Sequence, residues 1–192
     1  MTSITYRGKI IHLLPHVYEP AEDSFLLVDA LIDNIKDGDR VLELGCGSGI
    51  VSMFAQNRAS LVVATDLNPH AVLCASNNGI NAVRTDLFDG IKGQFDLIVF
   101  NPPYLPTSDE ERLSGWDSLI MEGGKNGRQT IKRFIYGLGD SLSPKGRVLL
   151  LVSSLTGIKE VCLIMNNADL FVEPISRSKH FFEQLVVLKG TK

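Results

Sequence analysis

Apolar and polar positions follow two different periods along this chain, and the switches between them outline a fold. Short continuous apolar runs, "RVLEL" (40–44), "LVVATD" (61–66), "INAVRTD" (80–86), "FDLIVF" (95–100) and "GRVLLLVS" (146–153), read as buried strands. Between them, apolar residues recur every three to four positions. In residues 20–36, Phe25, Val28, Leu31, Ile32 and Ile35 share one helix face, Pro20 suits the first turn, and Glu22 and Asp23 sit at the positive end of the dipole. Residues 49–57, 69–78, 127–142 and 156–167 read as further helices, with Pro69 opening the second of these. "LFVEPIS" and "FEQLVVLK" end the sequence as two strands expected to pair antiparallel. Strands alternating with helices predict a mainly parallel sheet with helices on both faces. Residues 105–126 show neither period, and a stretch that long between elements is expected to serve function.

Composition narrows the class. A chain of 192 residues, 44% hydrophobic and 21% charged, suits one soluble globular domain. The net charge of -3 supplies no basic field for nucleic acid. Cys46, Cys74 and Cys162 are widely spaced and form neither a zinc pattern nor a disulfide framework, which fits a reducing compartment. "MTSITYRGKIIHLLPH" lacks the apolar core of a signal peptide, and no run approaches the ~20 apolar residues that span a bilayer. A cytoplasmic protein is expected.

The candidate chemistry begins at "ELGCGSG" (43–49), where the first strand turns into its helix. Gly45, Gly47 and Gly49 allow a tight turn and close approach of a ligand. The spacing is GxGxG, with Ile50 where the dinucleotide fingerprint has its third glycine, and no GK[ST] follows. A ligand without phosphates fits better than a dinucleotide. Asp66 ends the second strand, where a carboxylate can accept from both hydroxyls of a ribose. Asp86, at the end of the third, suits an adenine amino group, with the Leu87 N–H donating to the ring. Glu43, just before the glycines, suits a cationic amino group or a water. Each acid alone is an ordinary cap or turn residue. Together they end successive strands on the edge where open α/β sheets bind ligands. These motifs resemble the class I S-adenosylmethionine-dependent methyltransferases, a Rossmann-like α/β fold. The resemblance implies a mostly parallel seven-stranded sheet with an antiparallel C-terminal strand.

The fourth strand ends in "NPPY". Pro102 and Pro103 fix successive φ angles and push Asn101 toward an extended conformation. Such a tip holds the Asn101 amide and the Pro102 carbonyl at set angles. Two acceptors so placed can hold an NH2 group, orient its nitrogen for methyl transfer and favour positive charge on it, while Tyr104 stacks on a planar acceptor. "NPPY" occurs in amino-methyltransferases of nucleic-acid bases and in the HemK-like glutamine methyltransferases of peptide-chain release factors.

"VYEPAEDSFLLVDAL" (17–31) and "EGGKNGR" (122–128) resemble the archaeal and eukaryotic branch of the latter, with Ser24 where threonine is more usual. That resemblance implies one methyltransferase domain over residues 1–192, with 1–39 as an N-terminal extension and cofactor-covering helix. It implies transfer to the glutamine of a release-factor GGQ loop. Ser24, Glu43, Gly45, Asp66, Asp86, Leu87 and Asn101 would contact S-adenosylmethionine. Asn101, Pro102, Pro103, Tyr104 and Leu105 would contact the acceptor, with Asn101, Pro102 and Tyr104 catalytic. Adenine methylation and a non-catalytic cofactor-binding subunit are the alternatives. The third strand is expected at a sheet edge, and "INAVR" (80–84) carries neither proline nor lysine to guard it. The resemblance implies a small zinc-binding activator as partner there.

Overall fold

The computed structural model describes residues 2–105 and 123–192. It begins with a hairpin that the hydrophobic pattern did not suggest, β1 (Thr2–Tyr6) and β2 (Lys9–Leu13). Arg7 and Gly8 take positive φ of 45° and 80°, the left-handed pair that a two-residue hairpin turn requires. Ile11 and Leu13 are buried, and the Tyr6 ring stacks on Phe25 with centroids 4.3 Å apart. Lys9 Nζ donates to the Met53 carbonyl at 2.6 Å. The first part of the extension therefore covers helix surface.

The remaining strands form one seven-stranded sheet: β3 (Arg40–Leu44), β4 (Leu61–Asp66), β5 (Ala82–Arg84), β6 (Phe95–Phe100), β7 (Leu142–Ser153), β8 (Phe171–Lys179) and β9 (Gln184–Thr191). Their order is β5-β4-β3-β6-β7-β9-β8. Strands β3 to β7 pair in parallel, while β9 runs antiparallel to both β7 and β8. The sheet is thus the expected one, with β5 at an edge. The helices are α1 (Glu22–Asn34), α2 (Ile50–Ala55), α3 (Pro69–Asn77), α4 (Gln129–Gly137) and α5 (Ile158–Asn166).

Alternation along the strands splits the core in two. Val41, Leu97, Val99, Leu149 and Leu151 face Leu27, Val28, Leu31, Val51 and Phe54 of α1 and α2. Leu42, Leu44, Ile98, Phe100, Val148 and Leu150 face Ile131, Phe134, Ile135, Val161 and Met165 of α4 and α5. Each large side chain so buried contributes roughly 1.5–3 kcal/mol.

The helix expected over 127–142 is the main boundary error. It stops at Gly137, a 3-10 turn spans Gly139–Ser141, and β7 begins at Leu142. Gly137 packs where a Cβ would lie 2.9 Å from the Phe88 ring, and Gly139 has φ +39°. Both glycines serve the turn out of the helix. The strand expected over 80–86 shortens to Ala82–Arg84. Most of the aperiodic stretch 105–126 lies outside the described residues, as does Glu122 of "EGGKNGR". Among the described residues, no helix is long and apolar enough to cross a membrane.

Candidate active site

The carboxyl ends of β3, β4 and β6 open on one cavity. The β3–α2 turn forms its floor. Gly45, Gly47 and Gly49 take φ of 60°, 53° and 79°. At Gly49 a Cβ would stand 3.0 Å from that of Ala75, so the glycine lets α2 start close against α3. At Gly47 a Cβ would meet nothing within 4 Å, so this backbone opens on the cavity instead of packing.

Two carboxylates flank the turn. Asp66 Oδ2 accepts from the Gly47 N–H at 3.0 Å and Oδ1 from the Asn68 N–H at 2.8 Å. Burial pushes its pKa above the usual carboxylate range, against the pull of these donors. Glu43 is buried, and its Oε2 accepts from the Ser52 N–H at 2.8 Å and from the Ser52 hydroxyl. Burial outweighs those bonds and pushes Glu43 up to about 8, with Asp66 adding to the rise. The protonated form of Glu43 is therefore favoured near neutral pH.

The opposite wall is the segment after β6. Asn101 Nδ2 donates to Asp23 Oδ2 at 2.9 Å, while Asn101 Oδ1 is buried without a hydrogen-bond partner among the described residues. Asp23 is only 4% exposed, and its Oδ1 accepts from Tyr18 Oη at 3.0 Å and from the Ser24 N–H at 2.6 Å. Burial, reinforced by Asp23, pushes the Tyr18 and Tyr104 phenols well up, so both stay neutral. The segment "GGKNG" (123–127) supports the tip from below. Gly123 N–H donates to the Leu105 carbonyl at 2.9 Å. A Cβ at Gly127 would collide with the Tyr104 carbonyl oxygen, and one at Gly123 would stand 2.9 Å from that of Pro103.

The structure brings Ser24, Glu43, Gly45, Asp66 and Asn101–Leu105 together around this cavity. Asp86 and Leu87 lie outside its lining. The Asp86 carboxylate pairs with Arg133 at 2.9 Å, and Leu87, at φ +50°, packs against the α4–α5 side of the core. Sequence reasoning missed Tyr18 and Asp23 as site residues. An acid in the first turn of a helix reads as a partner of the dipole, and its contact with Asn101 spans 78 positions.

Residues 21–181 match the Methyltransferase small domain family. A Methanocaldococcus jannaschii protein named for protein N5-glutamine methyltransferase activity is 43% identical, over 97% of this chain and 98% of its own. The human methyltransferase HEMK2 is 36% identical, over 92% of this chain and 90% of its own. A chain of the E. cuniculi Mtq2–Trm112 complex, described as responsible for methylating the termination factor eRF1, superposes with a TM-score of 0.79. It shares 34% identity and covers 92% of this chain and 99% of its own.

Proposed function

We propose, from the premise that this chain belongs to the Methyltransferase small domain family, that it methylates the side-chain amide of the glutamine in the GGQ loop of a class I peptide-chain release factor. The methyl donor in this reading is S-adenosylmethionine. The buried, unpartnered Asn101 Oδ1 on the cavity wall carries the reading. An orphaned acceptor in such a place is costly unless a ligand supplies the donor.

The donor site fits the cofactor. The bare Gly47 backbone leaves space for a close ligand, Asp66 offers remaining lone pairs to vicinal hydroxyls, and Glu43 gains its charge when a cationic amine arrives. Gly45 lies between this space and the Phe100 ring, 3.1 Å from where its Cβ would be. S-adenosylmethionine bound there supplies an electrophilic methyl group. The chain's own residues do the rest. An amide nitrogen is a poor nucleophile because its lone pair is delocalised. Asn101 Oδ1 and the Pro102 carbonyl accept its two N–H groups, hold it in line and stabilise the positive charge that grows on it. Tyr104, neutral and half-buried, offers its face to the planar amide. Once methylated, the nitrogen gives its surplus proton to water without a dedicated base.

The partner in this reading is a small zinc-binding activator that adds to β5. β5 is one of the two edge strands of the sheet, and Val83 on it is 48% exposed. The E. cuniculi relative solved as a complex supports a partner of this kind.

The test is direct. The protein, alone and with the activator, is incubated with methyl-labelled S-adenosylmethionine and a release factor, its GGQ glutamine-to-alanine variant, DNA or tRNA. Label on the intact release factor alone is expected. Label on nucleic acid, or on the alanine variant, overturns the proposal.

A further inference from the structure

We propose that Asp23 is a positioning residue for methyl transfer: its Oδ2 decides which end of the Asn101 amide faces the acceptor. This rests on the acceptor role given to Asn101 above. The two ends of a primary amide have nearly the same shape and are told apart only by their partners. Turned one way, Asn101 presents an oxygen that receives an N–H. Turned the other way, it presents an NH2 that meets the acceptor donor-to-donor. A carboxylate offers only acceptors. The 2.9 Å contact between Asn101 Nδ2 and Asp23 Oδ2 therefore admits the first orientation and excludes the second.

Asp23 is itself held for this task. Its Oδ1 takes donors from the Tyr18 phenol, the Ser24 N–H and the Ser24 hydroxyl, at 3.0, 2.6 and 3.2 Å, which leaves Oδ2 for Asn101. It stands in the first turn of α1, where the helix dipole favours negative charge. Leu27, Val28 and Leu31 of the same helix are buried against the sheet, so the carboxylate has a rigid mount. The bond also acts through the amide. A carboxylate drawing on Nδ2–H shifts electron density toward Oδ1 and makes it a stronger acceptor. Asp23 thus tunes the site toward acceptors that bring N–H groups, and against a carboxylate of the same shape. Ser24, expected to contact the cofactor, gains a second task as a holder of Asp23.

Asp23→Asn keeps the shape and removes the bias. Three readouts on the full-length protein test it. Turnover on the release factor should fall about tenfold or more, while KM for that substrate and the calorimetric affinity for S-adenosylmethionine stay within about twofold. In protein labelled with 15N-asparagine, the Asn101 side-chain NH2 signal, identified by its absence from Asn101→Ala, should sit downfield in the wild type. It should return to the range of solvated amides in Asp23→Asn. Tyr18→Phe, which removes one holder of Oδ1 and leaves both Asp23 and Asn101 in place, should lower turnover by a smaller factor. An unchanged Asn101 signal or wild-type turnover in Asp23→Asn overturns the proposal. So does a parallel loss of turnover, cofactor affinity and melting temperature, which marks a structural role. If the wild-type protein fails to methylate a release factor, the functional reading falls, yet the amide signal still reports on Asp23 and Asn101.

Discussion

The two walls of the cavity differ in how far the protein satisfies its own polar atoms. On the donor wall, Asp66 and Glu43 each already accept two hydrogen bonds from the chain. On the acceptor wall, Asn101 spends its NH2 on Asp23 and leaves its oxygen bare. A carboxyl group satisfied in this way is held in place before any ligand arrives, which suits binding. A bare oxygen gains most when charge appears opposite it, which suits the transition state. Under the proposed function the difference would give affinity to one wall and rate to the other, and variants on each wall should separate the two.

Asn101→Ala should have the largest effect. It removes the bare oxygen, and turnover should drop roughly a hundredfold or more. Cofactor affinity by calorimetry and the melting temperature should change little. Near-normal turnover would merge the two walls. Gly127→Ala strikes the same wall from below. Its Cβ collides with the Tyr104 carbonyl oxygen and its φ is +67°, so the tip must shift. Turnover should fall roughly tenfold, in keeping with the sensitivity of such reactions to small misplacements. Release-factor KM should rise while cofactor affinity stays unchanged.

Asp66→Ala should do the reverse. Calorimetric affinity for S-adenosylmethionine should weaken about tenfold or more, and turnover at saturating cofactor should be largely kept. The Gly47 and Asn68 N–H groups also lose their acceptor, so stability should fall by about 1–3 kcal/mol in denaturant titration.

Glu43→Gln gives the smallest effect, seen as a pH dependence. The native pKa of about 8 lies above the 4.5 of an unperturbed glutamate. Between these values the native protein keeps a proton that the unfolded chain gives up, so this group's stabilising contribution is present at low pH and is lost as pH rises toward 8. The wild-type melting temperature, without ligand, should therefore fall relative to that of Glu43→Gln between pH 5 and 8, by on the order of a few degrees. Parallel melting curves across that range would remove the buried-acid reading of this wall.

How much of this could be read in advance also divides along the walls. The donor wall is local in sequence: strand, glycines and an acid at the next strand end were legible from "ELGCGSG" and Asp66, because each side chain works where its own strand ends. The acceptor tip was legible as "NPPY", because two prolines announce a fixed turn. Its supports were not. Asp23 meets Asn101 across the whole first half of the fold, and Gly123 and Gly127 slip beneath Tyr104 from a segment whose glycines read only as a family motif. The β1–β2 hairpin was missed because Arg7-Gly8 is a weaker turn signal than Asn-Gly and its strands are half exposed. Asp86 and Leu87 followed from strand-end logic, yet the third strand stops at Arg84, so both lie beyond the sheet.

The order of strands also bears on the chain's synthesis. β9 (Gln184–Thr191) lies between β7 and β8, and its Val186, Val187 and Leu188 are fully buried. Strands β3, β4 and β6, which carry the cavity, leave the ribosome long before it. A nascent chain ending at residue 183 would thus hold every residue that lines the cavity while β7 shows a bare edge and β8 has no neighbour to join. Completion of the sheet waits for β9, which joins β8 and pairs with β7, and a chain that stops short of it would expose the β7 edge to others rather than work at reduced rate.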